Sequence, residues 1–102
     1  MDMKSMMRKA QKMQADLAKA QEEIQDMTAE ATAGGGMVKV VVKGDMTVQS
    51  LTIEKEAVDP EDVELLQDMI TAATNEALRA MAAQSSQRLS SVTGGIKIPG
   101  LM

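Results

Sequence analysis

The sequence predicts an α+β fold: a long N-terminal helix, a three-stranded antiparallel sheet, a second long helix and an extended C-terminal tail. Three observations predict it. Apolar residues at the N-terminus recur in steps of three and four, residues 37–44 alternate with period two around a run of valines, and a second helical stripe begins behind an Asp-Pro-Glu-Asp start. Strands joined by short connections pair as antiparallel neighbours.

Residues 1–27 form the first helix. From Asp2 to Met27 there is no Gly or Pro, and Ala, Met, Gln, Lys and Glu dominate, all good helix formers. Met3, Met6, Ala10, Met13, Leu17, Ala20, Ile24 and Met27 are spaced 3, 4, 3, 4, 3, 4, 3, a heptad a/d stripe. A helix of this length runs roughly 39 Å at ~1.5 Å per residue. A domain of ~100 residues has a radius of gyration of only ~13 Å. One end is therefore expected to project from the body or to lie along a partner.

Residues 28–54 form the sheet. In "MVKVVVKG", Val38, Val40 and Val42 share one face, with Lys39, Val41 and Lys43 on the other. Gly44 and Asp45 supply a turn. "TVQSLTIE" is the next strand; Val48, Leu51 and Ile53 break strict alternation, so a bulge is expected near Gln49 or Ser50. Residues 28–33 make a weaker third strand.

Residues 59–88 form the second helix. Asp59 suits the N-cap and Pro60 the first helical position, and Glu61, Asp62 and Glu64 complement the positive end of the helix dipole. Val63, Leu66, Ile70, Ala73 and Ala77 make its buried stripe, widened by Leu65, Met69 and Met81. The sequence turns polar from Ser85, and residues 89–102 read as the extended tail. The whole chain, residues 1–102, is expected to be one domain.

Composition excludes much chemistry. There is no Cys and no His, which removes disulfides, thiolate chemistry, the usual general base and the commonest metal ligand. "AGGGMVKV" lacks the Gly-Lys-Ser/Thr ending of a phosphate loop and leads into a strand. Glu61, Asp62, Glu64 and Asp68 lack the alternation of a calcium loop. Ser85, Ser86, Ser90 and Ser91 have no base to activate them. No catalysis, cofactor, metal or small-molecule substrate is expected. No apolar run approaches the ~18 residues of a membrane span, and the basic N-terminus has no signal-peptide core, so a cytoplasmic protein is expected.

The charge is unevenly placed. The chain totals −4, yet residues 1–13 carry Lys4, Arg8, Lys9 and Lys12 against Asp2, a net +3. Residues 54–68 carry Glu54, Glu56, Asp59, Glu61, Asp62, Glu64 and Asp68 against Lys55, a net −6. Lys4, Arg8 and Lys12 form an i, i+4, i+8 ridge. At ~100° per residue, the ridge points away from the methionine stripe. Such a ridge can meet several phosphates in succession. A solvated helix face, a membrane surface and an acidic protein partner fit the same charge run. The narrow seam and the absence of Trp or Phe count against the membrane. With no aromatic ring to stack bases, a nucleic-acid partner would be duplex, held by its backbone.

"MRKAQKMQADLAKAQEEI", "AGGGMVKVVVKGDMTVQSLTIE", "VDPEDVELLQDMITAATNEAL" and "TGGIKIPGLM", in this order, resemble the YbaB/EbfC family of bacterial nucleoid-associated DNA-binding proteins. The resemblance covers nearly the whole chain. Its most specific parts are the Gly-Gly-Gly-x-Val-Lys-Val segment and the Asp-Pro-Glu-Asp helix start at this separation. It implies a tweezer-like homodimer whose first helices project. It also implies double-stranded DNA as partner, a nucleoid location, and roles in nucleoid organisation and gene regulation. Carried onto this sequence, it places Lys4, Arg8, Lys9 and Lys12 on the arms and adds Arg79 and Arg88 from the last helix. The alternative reading is a protein–protein interaction module that clamps a partner between paired amphipathic arms.

Overall fold

The computed structural model describes residues 2–94. Its elements run α1 (Met3–Gln25), β1 (Thr28–Ala33), β2 (Val38–Lys43), β3 (Val48–Ile53), a 3-10 turn (Lys55–Ala57) and α2 (Val63–Thr93). The α+β order expected from the sequence is present. Asp2 caps α1 by accepting the Ser5 N–H at 2.7 Å. At the other end the Met27 N–H donates to the Ile24 carbonyl at 3.0 Å, and the chain passes directly into β1.

The sheet has the order β1-β2-β3, antiparallel throughout. Its inner face carries Val38, Val40 and Val42, each opposite an alanine of β1: Ala33, Ala31 and Ala29. Val38, Val40, Val42, Ala73, Ala77 and Met81 are fully buried and form most of the core. Small residues on β1 and α2 let the helix approach closely. Each buried Val or Met contributes about 1.5–3 kcal/mol, and no aromatic ring is needed.

Between β2 and β3 the register shifts: Val41 faces Ser50, while Val42 faces Val48. Gln49 is the extra residue, a bulge where the sequence predicts one. It brings Val48 into phase with Leu51 and Ile53, so all three lie on the inner face opposite Val42, Val40 and Val38. The β2–β3 hairpin turns tightly against α1. A side chain at Gly44 would drive its Cβ into the Ile24 carbonyl oxygen, so only glycine fits, and the Gly44 N–H donates to the Met27 carbonyl at 2.9 Å.

The boundaries of α2 differ from the expected 59–88. The Asp59 carboxylate accepts the Glu61 N–H at 2.9 Å, and its carbonyl accepts the Asp62 N–H at 2.9 Å. Asp59 and Pro60 thus close one turn and do not start the helix. Asp62 leaves helical geometry (φ −140°, ψ 62°) and is the true N-cap, accepting the Leu65 N–H at 3.2 Å. At the far end the polar run from Ser85 stays helical to Thr93, where Gly94 stops it in the left-handed region (φ 65°). Residues 89–93, expected as extended tail, are therefore helix, and the remainder of the expected tail, 95–102, lies outside the described residues.

α2 lies over β1 and β2 and continues past the sheet to pack against α1. Its start faces the β1–β2 turn, where a side chain on Gly34 would strike Met69. Its far half meets the end of α1 through Arg88 and Glu23. The result is a rod of 71 × 20 × 17 Å with a radius of gyration of 19.3 Å, against ~13 Å for a compact chain of this length.

Candidate nucleic-acid interface

α1 behaves differently along its length. Ala20 and Ile24 are buried against the body, and Leu17 is partly covered. Further toward the N-terminus the same stripe opens to solvent: Met6 is 54% and Met3 77% exposed. The body ends and the helix continues, held together by its own hydrogen bonds and by the Asp2 cap.

This uncovered stretch carries the cations. Lys4, Arg8, Lys9 and Lys12 are all exposed. Among the described residues, neither Lys4 nor Arg8 is engaged by a carboxylate or hydrogen-bond acceptor. Lys12 reaches Asp16 at 3.4 Å with its side chain 80% exposed. An exposed i, i+4 pair of this kind is worth about 0.3–0.5 kcal/mol, too little to withhold the ammonium from a stronger anion. The ridge has one further member, outside the set that the charge run alone points to. Lys19 is exposed and, at ~100° per residue, falls between Arg8 and Lys12 around the helix. Its signal in the sequence is spacing: it stands seven residues after Lys12, in the same heptad position. Beyond it Glu22, Glu23 and Asp26 end the positive row.

The two arginines of α2 are placed otherwise. The Arg88 guanidinium donates to Glu23 at 2.6 Å and to the Ser91 hydroxyl at 3.1 Å, so it clasps α2 to α1. With Met27, Gln84, Gln87 and Ser91 it lines an open recess of about 300 Å³. Arg79 pairs with Glu76 one turn earlier, at 2.9 Å, and both are exposed. Nine residues separate Arg79 from Arg88, which puts them on opposite sides of α2 at ~100° per residue. The fold brings Lys4, Arg8, Lys9 and Lys12 together on one projecting helix, and brings neither arginine of α2 into that row.

The carboxylates occupy the other end. Glu54, Glu56, Asp59, Glu61, Asp62 and Glu64 lie between β3 and the first turn of α2, the part of the body beside the β1–β2 turn. The rod therefore has a negative pole at the start of α2 and a positive one at the start of α1. A polyanion is attracted to one end and repelled by the other. Among the described residues no three His, Cys, Asp or Glu side chains are grouped so as to hold a metal ion, and no helix is long and apolar enough to cross a membrane.

Comparison with known proteins gives a consistent result. The YbaB/EbfC DNA-binding family matches residues 1–96. A nucleoid-associated protein of Pelotomaculum thermopropionicum is 53% identical over 100 residues, covering 98% of this chain and 95% of that protein. A nucleoid-associated protein of Desulforamulus reducens is 51% identical with the same coverage. The crystal structure of the uncharacterized protein HP0035 from Helicobacter pylori has the same fold, with a TM-score of 0.74 at 23% identity, over 92% of this chain and 99% of that one.

Proposed function

The chain belongs to the YbaB/EbfC DNA-binding family, and from that membership we propose that it binds double-stranded DNA as a homodimer. Contact is mainly with the phosphate backbone, through Lys4, Arg8, Lys9 and Lys12, with Lys19 extending the row. The protein is a binding protein and not an enzyme. It works in the cytoplasm on the nucleoid, where its roles are nucleoid organisation and gene regulation, a reading supported by the names of its nucleoid-associated relatives.

One observation carries this reading: Lys4 and Arg8 stand exposed, with no carboxylate beside them among the described residues, on a helix that has left the body. A charge row on a solvated structural helix has no need of an unsupported helix end. Duplex is favoured over single strands because no aromatic side chain is present to stack on bases. Arg79 and Arg88 contribute less, since neither lies in the row on α1 and Arg88 is held by Glu23 between the two helices. Support for the dimer comes from β3. Its inner-face residues Val48 and Leu51 remain 52% and 46% exposed, an apolar row that a second copy would cover.

Two arms place about ten cations on the phosphates, Lys19 included, and contacts on that scale lower affinity by roughly 10³–10⁵ between 50 and 200 mM salt. The test is a salt titration of duplex binding with the wild type and with Lys4→Glu, Arg8→Glu and Lys12→Glu combined. The variant is expected to lose binding at all salt concentrations and to keep the wild-type mass in solution. Binding that survives the reversal refutes the assigned residues. The second reading, an arm that clamps a protein, draws on the exposure of Met3, Met6 and Met7; it requires that the wild type bind no duplex at physiological salt.

A further inference from the structure

The apolar seam of α1 faces away from the cation ridge and has two fates. Leu17, Ala20 and Ile24 lie in the half that packs against α2. Met3, Met6 and Ala10 continue the seam toward the N-terminus and are exposed, and Met13 before Leu17 is half-buried. The length of the rod fixes where α2 leaves this seam. Arg88 meets Glu23. From Arg88 back to Val63, α2 measures about 38 Å, and from Glu23 back to Met3, α1 measures about 30 Å. End to end the two stretches make about 68 Å, close to the 71 Å of the rod. The helices therefore run antiparallel, with their N-terminal ends pointing in opposite directions. Gly94 stands six residues past Arg88, and Leu17 six residues before Glu23. α2 thus stops at the level of Leu17, where the uncovered part of the seam begins. Its last residue, Thr93, is still buried, and Gly94 then turns the chain through the left-handed region.

We propose that residues 95–102 of the same chain continue the cover that α2 begins, running along the seam from Met13 toward Met3. Three features favour this occupant over any other: the place where α2 releases the chain, the pattern of the residues that follow, and their reach. The residues are GIKIPGLM, with apolar side chains at Ile96, Ile98, Leu101 and Met102. Pro99 disfavours helix at Ile98. An extended chain sets Ile96 and Ile98 on one face, about 6.6 Å apart, and the seam repeats every 4.5–6 Å or about one helical turn. Eight extended residues reach about 26 Å, and the seam from Leu17 to Met3 is about 21 Å long.

Methionine suits such a contact, since its unbranched thioether chain adjusts to an imperfect partner. Lys97, between the two isoleucines, takes the opposite face of an extended chain and points away from the seam. The seat lies opposite Lys4, Arg8 and Lys12, so the ridge stays open to a polyanion. The consequence is a stiffer arm. A free helix shorter than ~12–15 residues is marginal in water, and an apolar strap along its uncovered side holds the first turns, and the cations on them, in helical register.

The chain has no Cys, so two introduced thiols report only on each other. One full-length protein carries Ala10→Cys with Ile98→Cys, a pair across the proposed contact. A second carries Lys12→Cys with Ile98→Cys, its first thiol on the ridge. A disulfide forms where the Cβ atoms approach to about 3.5–4.5 Å. Under mild oxidation the seam pair is expected to close within one chain about tenfold faster than the ridge pair, because a held thiol exceeds the effective concentration of a merely tethered one. Equal closure rates overturn the proposal. So does closure between chains, seen as doubled mass without reductant, which would seat another copy on the seam. Amide exchange gives a second reading without cysteines. Ile96→Asp combined with Ile98→Asp is expected to speed exchange across residues 6–13 and to leave the sheet unchanged; an arm that exchanges as in the wild type overturns the strap. Neither measurement contains DNA, so its outcome is independent of the proposed binding function.

Discussion

Met46 is the one non-glycine residue at positive φ among the described residues, at 66°. Its N–H donates to the Lys43 carbonyl at 2.9 Å, and the Lys43 N–H donates to the Thr47 carbonyl at 2.9 Å. This is a three-residue hairpin connection, a turn followed by a left-handed residue, a position that glycine normally fills. Holding a side chain there costs about 1–2 kcal/mol. Met46→Gly is therefore expected to raise stability by about 1 kcal/mol, moving the thermal midpoint up by roughly 4–8 °C for a chain of this size, measured at fixed protein concentration. A lower midpoint would mean that the half-exposed Met46 side chain makes contacts worth more than the strain, for instance with a second copy. Gly44, two residues earlier, is the opposite case: its constraint is the Ile24 carbonyl at its back, so no side chain is tolerated whatever the backbone angle.

The element on which the proposed function depends is α1, and its free end is held by the Asp2 cap. The N–H and then the hydroxyl of Ser5 hold the Asp2 carboxyl below the usual carboxylate range. A carboxylate stabilised in the folded helix contributes fully above its ordinary pKa and loses the contribution as pH falls through the lowered value. The first turn, which carries Lys4, is thus expected to loosen as pH drops below about 4. Amide exchange at Ser5 should report it, and Asp2→Asn, which caps without ionising, should remove the pH dependence; equal pH profiles for the two proteins would sink the cap's role. Elements with a regular period are legible in the amino-acid pattern: the heptad steps of α1, the alternating valines of β2, and the bulge at Gln49, which the broken alternation of β3 requires. The start of α2 is not, because Asp59-Pro60 and Asp62 are both competent caps and only the turn geometry chooses between them. Its end is also hidden. Ser lowers helix propensity without forbidding the helix and Gln favours it, so the polar run from Ser85 does not stop it, and the actual stop is Gly94. The cation ridge is legible because a helix converts spacing into direction. The role of Arg88 is not, since its partner Glu23 lies 65 residues away and no local pattern links them.

At the scale of the molecule, the separation of charge along a 71 Å rod is what lets a chain of net charge −4 present a cationic end to a polyanion. The same elongation leaves too little single-chain core to cover all apolar surface. α2 spans β1 and β2, and the third inner-face row, Val48, Leu51 and Ile53, is left at the edge. Val58, Val63 and Leu65 are exposed as well. Ile53 pairs with Val38 at the sheet end that carries the β1–β2 turn, so the β3 row runs along the sheet edge as an apolar surface that α2 does not cover. A second copy that covers this surface joins two bodies and leaves both arms free. Leu51→Asp sets a charge in the middle of the row without touching the buried core of either chain. Sedimentation is expected to show wild type near 22 kDa, about twice the 10.9 kDa chain, and the variant near the single-chain mass with its helical signal retained. One arm makes half the phosphate contacts of two, so the variant's salt dependence of duplex binding should fall to about half the wild-type slope. A variant that keeps the dimer mass would place the interface elsewhere. One that becomes monomeric with an unchanged salt slope would mean that a single arm already makes every phosphate contact in the complex.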